Sequence, residues 1–94
     1  MATPGELRAR VLPPCPVLDV HVHPLSCFSP YRIESVEQDV RCLREAAQRS
    51  GVTKVCVFSL HPTCPREPTV AQCQEANDYV LRMRDLAPDF FLPF

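Results

Sequence analysis

Two helix-start signatures, each placed after a β-rich run and a proline-containing loop, constrain this chain more than any other feature. Ser35 is followed three residues later by Gln38, and Thr69 by Gln72. In that pattern a hydroxyl and an amide side chain reciprocally satisfy the free N–H groups at a helix start. After Ser35, the residues Val36, Val40, Leu43 and Ala47 recur at helical spacing until Gly51 supplies a stop, which predicts a helix over 36–50. After Thr69 a second helix is predicted over 70–86, broken by Pro88. The run V-L-D-V-H-V at 17–22, closed by Pro24, reads as a first strand. The run V-T-K-V-C-V-F-S-L at 52–60 reads as a second, and its consecutive apolar centre suits a strand buried on both faces of a parallel sheet. F-F-L-P-F at 90–94 begins a third.

The order is strand, helix, strand, helix, strand, which predicts an α/β fold with parallel strands joined by right-handed crossovers. A chain of 94 residues is enough for one small domain and short of what a closed barrel requires. The apolar third strand has no helix after it to cover it. The sequence is therefore expected to be the opening piece of a longer α/β protein, with a flexible Pro-rich leader over 1–16 and a partial barrel-type domain over 17–94. An uncovered apolar strand is also expected to promote self-association.

Composition narrows the function classes. A net charge of −1 and a pI near 6.3 leave no basic field to recruit nucleic acid or anionic lipid. Neither a signal peptide nor an apolar run of membrane-spanning length is present, so the cytoplasm is the expected compartment and no membrane partner is expected. The six cysteines (Cys15, Cys27, Cys42, Cys56, Cys64 and Cys73) contain no C-x-x-C pair, so a zinc ribbon or finger is not indicated. Cys42, Cys56 and Cys73 fall inside apolar patterns and are expected to act as small hydrophobes. Asn77, on the line Val70, Cys73, Asn77 and Val80, is expected to bury an amide hydrogen bond.

The residues that point to chemistry are Asp19, His21 and His23, in L-D-V-H-V-H-P. Strict strand alternation puts all three on one face, with the two imidazoles roughly 6.5 to 7 Å apart at Cα. Both rings can then reach one divalent ion, and Asp19 is placed to serve as an acceptor that orients a ligand ring. The pair lies at the carboxyl end of the first strand, where α/β folds bind their ligands. His61, in S-L-H-P at the end of the second strand, is a further candidate for the same pocket.

L-D-V-H-V-H-P resembles the signature that ends the first barrel strand of the amidohydrolase superfamily, metal-dependent hydrolases built on a TIM (β/α)8 barrel. R-S-G-V-T-K-V-C-V-F-S looks like that family's first helix running into its second strand. A-N-D-Y-V-L-R-M-R-D-L-A-P-D-F-F-L-P-F looks like its second helix and third strand, with most similarity to the amidohydrolase-related branch that includes aminocarboxymuconate-semialdehyde decarboxylase-like enzymes. The resemblance covers 17–94 and implies a βαβαβ N-terminal portion of such a barrel. It also implies His21 and His23 as ligands of a divalent metal, zinc first, with iron or manganese as alternatives. The implied activity is hydrolysis of a small-molecule C–N or C–O bond by metal-activated water, or decarboxylation in the neighbouring branch. The family takes further histidines and an aspartate from later strands, positions that do not exist here, so the 94 residues alone are expected to be inactive. The competing expectation is a non-catalytic fragment or a module that associates through a sheet edge.

Overall fold

The computed structural model describes residues 1–28, 30–59 and 66–93. Helix α1 (Pro4–Val11) lies in the leader, starting where Thr3 Oγ1 accepts from Glu6 N at 3.1 Å, and it buries no residue. Strand β1 (Leu18–Val22) is followed by a single 3₁₀ turn (Leu25–Cys27), then α2 (Val36–Ser50), β2 (Lys54–Val57), α3 (Val70–Leu86) and β3 (Phe91–Pro93). The three strands form one parallel sheet in the order β1-β2-β3. The described chain is thus α/β with an open parallel sheet, and β2 is its centre.

Both long helices begin as their capping residues dictate. Ser35 Oγ accepts from Gln38 N at 3.1 Å, and Gln38 Oε1 reaches back to Glu34 N at 2.8 Å. Thr69 and Gln72 make the full reciprocal box, at 3.1 Å and 2.9 Å. Each cap satisfies backbone donors that the first helical turn leaves without partners. Gly51 closes α2 with φ of 75°, a left-handed conformation that costs other residues about 1–2 kcal/mol. A Cβ there would also meet Leu12 Cδ2 and Pro13 Cδ at 2.9 Å, because the leader passes over this turn.

The core lies between the helices and one face of the sheet. Val36, Val40 and Ala47 of α2 and Val80 and Met83 of α3 pack on Val55, Val57 and Phe91. Phe91 and Met83 are fully buried, and each side chain contributes about 1.5–3 kcal/mol by leaving water. At the rim, Arg44 pairs with Asp89 at 3.3 Å and lies 5.6 Å from the centre of the Phe90 ring, tying α2 to the turn before β3.

The buried face of α3 differs from the sequence expectation. It runs through Ala76, Val80 and Met83, with Tyr79 beside them, whereas Val70, Cys73 and Asn77 are exposed. The helix buries its second half, so of the line through Asn77 only Val80 is buried, while Asn77 and the Cys73 thiol face solvent. Cys56 is buried in β2 and Cys42 is half-buried.

Candidate metal half-site at the carboxyl end of the sheet

The pairing of β1 with β2 determines which way the titratable residues point. Leu18 pairs with Lys54, Asp19 with Val55 and Val22 with Val57, with a register shift between Asp19 and Val22. Two residues, Val20 and His21, therefore stand opposite the single Cys56, as in a β-bulge. Paired residues of neighbouring strands share a face, so Asp19 and Val22 lie with Val55 and Val57 on the helix-covered side. Asp19 lines a depression there with Leu43 and Ala47 of α2. The expected comb of three side chains on one face is thus split: the shift separates Asp19 from the histidines.

The histidines come together on the other face. His21 Nε2 and His23 Nε2 are 3.3 Å apart. His23 Nδ1 lies 2.8 Å from the carbonyl oxygen of Phe58, at the end of β2. A carbonyl only accepts, so Nδ1 carries the hydrogen and Nε2 of a neutral His23 presents its lone pair. The Phe58 ring meets both imidazoles edge to face, with centroids 4.7 Å from His21 and 4.9 Å from His23. Asp19 acts on His21 through the backbone: its Oδ1 accepts from His21 N at 3.0 Å. His21 is exposed and His23 half-buried. Among the described residues, no group of three or more His, Cys, Asp and Glu is placed to hold a metal ion. His61 and Cys64 lie outside the described residues.

A second polar cluster sits directly behind the pair. Asp39, on the first turn of α2, is completely buried. It accepts from Leu25 N at 2.8 Å, Ser26 N at 3.3 Å and the Tyr79 hydroxyl of α3 at 2.7 Å. It thus caps the 3₁₀ turn that follows His23 and Pro24. Burial pushes the Tyr79 hydroxyl well above its usual range; a hydrogen bond from Ser26 opposes this and the bond to Asp39 adds to it. Tyr79 therefore stays protonated as a donor at neutral pH. The signal for this cluster was present in the sequence: Asp39 falls on the apolar line of α2, three residues after Val36, where a charge needs buried partners.

Compared with protein-family models, curated proteins and solved structures, the chain gives no match. Among the described residues, no helix is long and apolar enough to cross a membrane.

Proposed function

We propose that this chain is the βαβαβ portion of a metal-dependent hydrolase barrel of the amidohydrolase type, with His21 and His23 supplying two ligands to a divalent ion, zinc foremost. The observation that carries this reading is the 3.3 Å between the two Nε2 atoms. Two nitrogens each 2.0–2.1 Å from one tetrahedral ion lie roughly 3.3–3.4 Å apart, so the rings already stand at ligand spacing. The Phe58 carbonyl supports it, because a ligand imidazole normally gives its other N–H to such an acceptor. Without metal, the same spacing is met by a hydrogen bond from His21 Nε2–H to His23 Nε2.

The residues divide the work plainly. His23 is pre-oriented with its lone pair outward; His21, held at its backbone by Asp19, completes the pair; Phe58 walls one side of both rings. A divalent ion bound there would supply Lewis acidity toward a substrate oxygen and activate water for attack on an amide, ester or lactone carbon. Catalytic zinc usually has three protein ligands, so turnover needs at least one group beyond these two. The test is metal content of the purified chain with its cysteines reduced, beside the His21→Ala, His23→Ala double variant. Near-stoichiometric zinc, iron or manganese that disappears in the variant is the expected result. Equal metal in both proteins, or none in either, sinks the reading.

A second reading rests on a separate observation. β1 is an edge strand, and Leu18 and Val20 on it are 48% and 65% exposed, with Leu92 of β3 at 39%. An apolar sheet face bordered by an edge strand that nothing among the described residues pairs with on its outer side suits association with another chain. The expected sign is concentration-dependent self-association in sedimentation, and a chain that stays monomeric at high concentration removes this reading.

A further inference from the structure

The buried Asp39 has no part in the proposed metal chemistry, yet it is bonded to the segment that carries His23. Between them stands Pro24, fully buried, with φ of −55° fixed by its ring. Proline also restricts the backbone of the residue before it, here His23. Immediately beyond Pro24, Leu25 N and Ser26 N both donate to the Asp39 carboxylate. Few free torsions remain between that carboxylate and the His23 ring. On its other side the ring is held by the 2.8 Å bond from Nδ1 to Phe58 O and meets the Phe58 ring edge to face.

We propose that Asp39 is a positioning residue for the His21–His23 pair: its carboxylate, held by Tyr79, clamps the backbone just after His23 and keeps the two ring nitrogens at ligand spacing. The carboxylate accepts on both oxygens, from two backbone N–H groups of the 3₁₀ turn and from the hydroxyl of α3. Both long helices are thereby coupled to one loop at the carboxyl end of β1. Tyr79 acts one step further back, fixing the carboxylate's rotation. The clamp rests on the reading of the pair as a metal half-site, but it also makes a claim about His23 that holds without metal.

The experiment compares the wild-type chain, Asp39→Asn and Tyr79→Phe, with cysteines reduced, at a temperature where circular dichroism shows each folded. Two quantities are measured: zinc affinity by titration, and the His23 tautomer in the metal-free protein by nitrogen-15 NMR. In Asp39→Asn the amide nitrogen cannot accept, so one of the clamp's bonds is lost. Zinc affinity is expected to fall about 10- to 100-fold, as when a group supporting a ligand is changed, with His23 passing from Nδ1–H alone to a mixture of tautomers. Tyr79→Phe should shift both quantities in the same direction by less. If Asp39→Asn does not fold, Tyr79→Phe decides by itself. A folded variant that is less stable but keeps wild-type affinity and tautomer overturns the proposal, since Asp39 is then only a structural cap. Should the wild type bind no more zinc than the His21→Ala, His23→Ala variant, the metal reading fails, and the tautomer comparison still decides the clamp.

Discussion

The two faces of the sheet are built from similar residues and have opposite fates. On one, Val55, Val57 and Phe91 are sealed beneath α2 and α3. On the other, Leu18, Val20 and Leu92 stand open, and the His21–His23 pair shares that side. The two crossover helices, α2 and α3, pack on the same face, as crossovers joining parallel strands in one direction require. Stability is therefore concentrated on the covered face, while the open face carries the only paired imidazoles among the described residues. The polar cluster of Asp39 and Tyr79 stands at the boundary, where the covered side reaches around the end of β1 to hold the loop behind His23.

The difference can be broken most sharply at Phe91. Phe91→Ala empties a fully buried site between β2 and the helices, and a loss of about 3–5 kcal/mol is expected. That is a large share of the stability available to a small domain. Urea unfolding of the variant measures it, and a loss below about 1 kcal/mol would show that the covered face is not where stability resides.

A smaller effect belongs to Tyr79. Its hydroxyl has a raised pKa in the folded chain relative to the usual 10.0. The unfolded chain therefore releases this proton first as pH rises, and the contribution of Tyr79 is fully present below pH 10.0 and declines above it. Wild type is expected to lose stability above that pH more steeply than Tyr79→Phe. Parallel alkaline limbs in the two proteins would count against burial of the hydroxyl.

The smallest effect is expected on the open face. Val20→Ser should change unfolding stability by no more than about 0.5 kcal/mol, while lowering any self-association seen by sedimentation. A loss approaching that of Phe91→Ala would mean that something in solution covers Val20 and would erase the contrast between the faces.

Much of the architecture was legible because it is written in local signals. The helix over 36–50 and the helix over 70–86 appear at those bounds, each started by its own side-chain cap. The buried centre of the second strand follows from consecutive apolar residues in V-C-V, as β2 shows. Other features were not legible because they depend on which neighbours arrive. The helical line through Val70, Cys73, Asn77 and Val80 is apolar enough to read as a core face, yet α3 buries Ala76, Val80 and Met83 and leaves Cys73 and Asn77 in solvent. The register shift in β1 arises from pairing with β2, and no pattern within V-L-D-V-H-V announces it.

By itself, then, the sequence determined the order and type of the elements from β1 onward and the placement of His21 and His23 at the end of a strand, since caps, turns and periodicity act over a few residues; the helix α1 in the leader was not among the elements it signalled. Only the tertiary structure decided that Asp19 would part from the histidines and that the two ring Nε2 atoms would meet at 3.3 Å. It also decided that a carboxylate of α2 would find a hydroxyl of α3 forty residues away. These arrangements arise between segments distant in the chain. Their cause is packing and the need of a buried charge for partners, which a reading along the chain can signal at Asp39 but cannot assign.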